Sequence, residues 1–142
     1  MALPDSCLYR LCASQISAKH RGICPNGWHI PSHEEWNTLE DFVGDILTAG
    51  RYLKSTSGWD NDANGLDTYG FAALLGGMGI ALNGEDDLFR EVGEHGYWWE
   101  ALENEYEWNS MIAYSWLMNR YAGFGSDGIQ KDRLVSVRCI QD

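Results

Sequence analysis

A chain of 142 residues, 44% hydrophobic and 22% charged, has the length of one domain and enough apolar material for one core, which argues against intrinsic disorder. Its formal net charge of −11 opposes phosphate backbones and anionic bilayers, so neither nucleic acid nor a membrane surface is an expected partner. No run approaches the roughly 18 apolar residues that a membrane span requires. Met1-Ala-Leu-Pro-Asp5 does not read as a signal peptide, so export is expected through a trimmed leader or through fusion to a larger protein.

Residues 8–18 carry a polar and apolar mixture that fits one short helix. Pro25, Gly27 and Pro31 then mark a turn followed by an extended segment. The clearest element begins at Ser32. Ser32 and Glu35 have capping-box spacing, Glu34 and Glu35 suit the first turn, and Trp36, Leu39, Phe42, Val43, Ile46 and Leu47 recur at helical steps of three and four. The pattern predicts an amphipathic helix from Ser32 through Leu47, with Gly50 as its stop. Residues 55–70, rich in Ser, Asp, Asn and Gly, predict a long loop, and 71–75 a short apolar run. Tyr97–Ala101 and Ala113–Met118 predict aromatic strands, Gly123–Gly128 a turn region, and Leu134–Ile140 a closing strand. One main helix followed by short strands and long loops is an α+β layout in a single domain. Loops this long are usually functional or tied down.

Four ordered blocks carry a resemblance. Cys24-Pro25-Asn26-Gly27-Trp28-His29-Ile30-Pro31-Ser32 runs into Glu35-Trp36; Asn64-Gly65-Leu66-Asp67-Thr68-Tyr69-Gly70-Phe71 follows; then Gly96-Tyr97-Trp98-Trp99; then Ser136-Val137-Arg138-Cys139. Together they resemble the Fibrobacter succinogenes major paralogous domain family over almost the whole chain. The resemblance implies a C-type lectin-like fold related to the sulfatase-modifying, formylglycine-generating branch, with one main helix, short antiparallel strands and long loops. It also implies secreted or surface proteins of bacteria, often lipoproteins, with no established reaction. Related domains are targets of diversity-generating retroelements, and the stretch that would then vary here is about 100–133. This chain departs from the pattern at Cys7 and Cys12, at Glu100-Ala101-Leu102, where small polar residues are usual, and at Leu134-Val135.

The family positions of Cys24 and Cys139 imply a disulfide; in a chain-entropy account such a closure contributes about 4–5 kcal/mol. Cys7 and Cys12 would lie roughly 8–9 Å apart on a continuous helix, too far to bridge. The enzyme branch of the fold binds copper with a similarly spaced pair, but after the equivalent of the Pro31–Trp36 block, whereas this pair precedes it. Asp60, Asp62, Asn64 and Asp67 fit the first half of a calcium loop, although its twelfth position is Phe71 and not Glu, and the same residues favour a solvated turn. His20, His29, His33 and His95 lack zinc-site spacing, and no catalytic motif is present.

Seven Trp and seven Tyr are many for this length, and such side chains anchor binding surfaces as well as cores. Alternation in a strand points Trp98 and Trp99 to opposite faces. The expected ligand-binding set is Asn104, Tyr106, Trp108, Asn109, Tyr114, Trp116, Asn119 and Tyr121, with Tyr106, Trp108 and Tyr121 exposed and the Asn amides as adaptable polar partners. The leading expectation is a non-catalytic module binding a protein or cell-surface ligand outside a bacterium or on a phage particle. A calcium-dependent lectin for surface glycans is the alternative, and a copper oxidase of the formylglycine type the third.

Overall fold

A computed structural model describes residues 19–80, 89–103 and 111–142. The expected helix at 8–18 and the Cys7–Cys12 pair lie outside the described residues. The protein is a mixed α and β fold with mostly antiparallel strands and few helices. The strands are β1 (Trp28–His29), β2 (Met78–Ile80), β3 (Phe89–Arg90), β4 (His95–Glu103), β5 (Ile112–Asn119), β6 (Phe124–Gln130), β7 (Arg133–Leu134) and β8 (Ile140–Gln141). The helices are α1 (His33–Val43) and α2 (Ala49–Leu53), with a 3-10 turn at Asp60–Asp62.

α1 starts where the capping box predicts. The Ser32 hydroxyl accepts from the Glu35 N–H, and the Glu35 carboxylate accepts from the Ser32 N–H at 2.9 Å. Its end differs from the expectation. Gly44, at φ 109°, takes a conformation that L side chains rarely adopt and stops the helix after Val43. Ile46 and Leu47 therefore leave the apolar stripe and stand exposed, and Gly50 lies inside α2 instead of ending α1. Gly50 has its own reason to be glycine: a Cβ there would sit 2.8 Å from the Ala122 carbonyl oxygen.

β4, β5 and β6 form one antiparallel sheet in that order, with Trp98 opposite Trp116 and Met118 opposite Phe124. Gly123–Gly128 was expected as a turn, yet most of it is strand. Its glycines weaken intrinsic strand preference, and the ladder to β5 overrides that weakness. The expected closing strand shortens to β7 and β8, joined by a stretch that touches β4 through a bridge between Trp98 and Ser136. Two smaller sheets run β3-β2-β7 and β1-β8. A disulfide between Cys24 and Cys139, 5.9 Å apart at Cα and 115 residues apart in sequence, ties the start of the described fold to its end.

The core lies between α1, α2 and the β4-β5-β6 sheet. The Trp36 indole from α1 stacks on Trp116 of β5 at 5.6 Å, and Trp116 meets Phe124 at 4.6 Å. Leu53, Trp59, Ala73, Trp98 and Met118 complete the packing. Trp98 is buried and Trp99 half-buried, as opposite faces of β4 require.

Candidate binding surface

The β5–β6 hairpin turn carries Arg120 and Tyr121, and the way it is held decides what it shows. α2 ends at Leu53, and the next residue, Lys54, has its side chain buried. The Lys54 ammonium donates to the carbonyl oxygens of Asn119 (3.3 Å), Arg120 (3.3 Å) and Tyr121 (2.8 Å). The Gly50 N–H donates to the Ala122 carbonyl at 2.9 Å, and the Phe124 N–H to the Ile46 carbonyl at 3.1 Å. The carbonyls of Asn119, Arg120, Tyr121 and Ala122 are thus all drawn inward, and the Tyr121 side chain is left 66% exposed. The Arg120 guanidinium rests over the Tyr121 ring at 5.1 Å and donates to its hydroxyl at 3.1 Å. That cover stiffens an aromatic side chain already attached to an anchored turn.

Beside the turn, the residues freed by the early stop of α1 stand in solvent. Leu47 is 72% exposed and Ile46 44%, and the Ile46 methyl reaches to within 3.5 Å of where a Cβ on Gly125 would sit. Phe42, at the end of α1, is 67% exposed and packs edge-on against the exposed Tyr69 at 5.1 Å. Exposed Ile46 and Leu47 beside a turn that displays Tyr121 have the composition of an interface core.

Of the expected ligand-binding residues, Tyr121 is displayed. Tyr114 is half-buried on the core-facing side of β5, beside Gly128. Trp116 is a correction: it is 1% exposed, because its strand face, shared with its cross-strand partner Trp98, points into the core. Asn119 is half-buried, and its amide oxygen is enclosed without a hydrogen-bond partner, so that oxygen does not serve as an adaptable surface group. Asn104, Tyr106, Trp108 and Asn109 lie outside the described residues.

The expected calcium set of Asp60, Asp62, Asn64 and Asp67 falls in one loop around a 3-10 turn, with some of its oxygens already engaged. The Asn64 amide oxygen accepts from the Trp59 N–H at 2.9 Å, and an Asp67 carboxylate oxygen accepts from the Ala72 N–H at 2.6 Å. The Asp60 carboxylate packs against Gly93. These groups organise their own loop, and among the described residues no three His, Cys, Asp or Glu side chains converge to hold a metal ion.

The charged groups that sequence reasoning passed over are internal. His29, 2% exposed, sits between Glu35 at 2.9 Å and Asp142 at 2.7 Å. Burial lowers its pKa, but the two carboxylates outweigh that and raise it above the ordinary imidazole value. Burial acts on Glu35 in the opposite sense to its bonds from Ser32 and His29, and the bonds hold its carboxyl below the usual range. Glu100 follows Trp99 at a bulge in β4. Its carboxylate faces His33 at 3.3 Å, accepts from the Ser126 hydroxyl at 3.3 Å, and leaves one oxygen buried without a hydrogen-bond partner. Burial pushes its pKa up, against the opposing pull of His33, the Trp116 indole N–H and Ser126; that indole lies near enough to favour the charge but outside good hydrogen-bond geometry. Arg138 lies over Phe71 at 3.8 Å. Glu35 left a signal as half of the capping box and Glu100 as a departure from the family's small polar residue; the pairing of His29 with Glu35 and Asp142 left none.

A mixed α and β fold built on an antiparallel sheet, closed by an end-to-end disulfide and presenting an anchored aromatic turn, defines the class of protein. The chain belongs to the Fibrobacter succinogenes major domain family, whose model matches residues 7–141. Neither the curated proteins nor the solved structures give a match.

Proposed function

We propose that this chain is a non-catalytic recognition module of C-type lectin-like fold that binds a protein or another surface ligand through the β5–β6 turn and its neighbours. One observation carries the reading. The main-chain oxygens of 119–122 are engaged inward by Lys54 and Gly50, so the turn is held from behind while Tyr121 projects in front. Preorganisation of this kind lowers the entropy cost of binding. Tyr is also the residue type that recognition loops favour.

The disulfide supports a working place outside the reducing cytoplasm, on a bacterial surface, in a secreted protein or on a phage particle. Variation across 100–133, if related copies carry it, would include the β5–β6 turn and the strands β5 and β6 that flank it. The charged side chains also favour binding over chemistry, because His29, Glu35 and Lys54 are engaged with neighbours inside the fold. The calcium-lectin alternative is weakened by the internal bonds of Asn64 and Asp67.

The test is to select displayed peptides on the folded chain and, in parallel, to probe a glycan array with and without a calcium chelator. The reading expects chelator-insensitive binders that are lost on Tyr121→Ala or Leu47→Ser. Glycan binding abolished by the chelator would replace it with the lectin reading.

A further inference from the structure

The ammonium of Lys54 has an unusual set of neighbours. Its residue is 3% exposed, and three consecutive main-chain carbonyls, those of Asn119, Arg120 and Tyr121, converge on the nitrogen. The Trp59 ring lies 4.7 Å away and offers its face. Among the described residues no carboxylate pairs with Lys54. A neutral amine has two N–H groups, whereas three acceptors call for the three of an ammonium. Burial lowers the pKa of Lys54, while the carbonyl dipoles and the ring face favour the charge. Carbonyl oxygens and an aromatic face around one positive nitrogen are the chemistry of a site for a primary ammonium ion.

We propose that the 119–121 carbonyls and the Trp59 ring form a binding site for a primary ammonium group, filled in this protein by its own Lys54, and that the charge in this site locks the turn that displays Tyr121. Lys54 is on this account a positioning residue, a tethered cation that reaches from the end of α2 across to the sheet. Without that charge, three inward carbonyls face one another across an empty space, and the cheapest relief is for the turn to swing outward to water. The Gly50–Ala122 and Phe124–Ile46 hydrogen bonds flank the turn, so their amide hydrogens report its opening. The site itself stands on geometry; only the consequence for recognition rests on the function proposed above.

The experiment uses the full chain and needs no partner. In Lys54→Ala, the space vacated by the side chain beyond Cβ matches n-propylammonium. Amide exchange at Gly50 and Phe124 is measured by NMR in Lys54→Ala, with n-propylammonium chloride, equimolar sodium chloride or n-propanol added. The proposal expects exchange at both amides to quicken at least tenfold in the variant, with amides in the middle of the β4–β5 ladder unchanged. It expects n-propylammonium to restore protection and the other two additives not to. Rescue by n-propanol to the same degree would reduce the effect to packing and overturn the proposal, as would a folded variant that n-propylammonium does not rescue. Lys54→Met, which keeps the length and removes the charge, decides the matter if Lys54→Ala does not fold: quickened exchange upholds the proposal and wild-type protection overturns it. Loss of binders on Tyr121→Ala is a separate result, so failure of the ammonium site and failure of the recognition reading are told apart.

Discussion

The ring of His29 spans two carboxylates, donating from Nε2 to Glu35 at 2.9 Å and from Nδ1 to Asp142 at 2.7 Å. Carboxylates only accept, so both ring nitrogens donate and the buried ring carries a positive charge. The pair joins the start of α1 to the last residue of the chain, close to where β1 pairs with β8. The sign of the pH effect follows. The raised His29 pKa gives stability that is complete below the ordinary value of 6.5 and is lost as pH rises through the higher folded value. The lowered Glu35 pKa gives stability present above the ordinary value of 4.5 and lost as pH falls through the lower folded value. This latch is therefore strongest between 4.5 and 6.5. Thermal melts across pH should show the wild type losing stability on the alkaline side as His29 releases its proton. His29→Asn should be weaker at pH 6 and lack that alkaline loss.

The disulfide closes the same two ends by a covalent route. With Cys24 and Cys139 separated by 115 positions in sequence, chain entropy gives a cost of about 4–5 kcal/mol for its removal. Denaturant unfolding of the double Cys24→Ser, Cys139→Ser variant should show a loss near that figure. A loss under about 1 kcal/mol would mean that the staple does little that the core does not already do.

Glu100 should work against stability at neutral pH. Its folded pKa is raised by burial, so the native state holds a proton that the unfolded chain releases, and stability falls as pH rises from the ordinary carboxyl value through the folded one. Glu100→Gln should therefore be more stable than the wild type at pH 7, with the gain vanishing under acid conditions. Urea titrations at pH 4 and pH 7 check the sign directly.

Gly50→Ala should destabilise by about 1–3 kcal/mol, because its Cβ would meet main-chain oxygens of Ala122 and Gly123 at 2.8 and 3.0 Å, which no side-chain rotation can clear. In an ordinary helix interior the same change would be favourable. A stabilised Gly50→Ala variant in thermal melts would show that α2 and the hairpin turn are not in contact.

How much of this was legible depended on how far each signal reached. The start of α1 was readable because Ser32 and Glu35 are three residues apart and cap each other. Its end was not, since Ile46 and Leu47 continue the helical spacing past Gly44 and conceal the break. β4 and β5 announced themselves through aromatic, β-favouring residues. β6, Phe-Gly-Ser-Asp-Gly-Ile-Gln, reads locally as a turn and becomes a strand only through its partner. The Cys24–Cys139 pairing came from family position, not from spacing. Lys54 gave no signal at all, because its partners are main-chain oxygens 65 to 67 residues away, and a carbonyl leaves no mark on residue identity.

The most direct test of the account is a comparison of two variants for binding and for fold. Peptides selected on the wild-type chain are measured by calorimetry against Tyr121→Ala and, as a control away from the turn, Ile23→Ser, another exposed apolar site. The account predicts that Tyr121→Ala keeps the wild-type melting temperature and loses at least tenfold in affinity, while Ile23→Ser keeps both. Undiminished affinity in a well-folded Tyr121→Ala chain would contradict it.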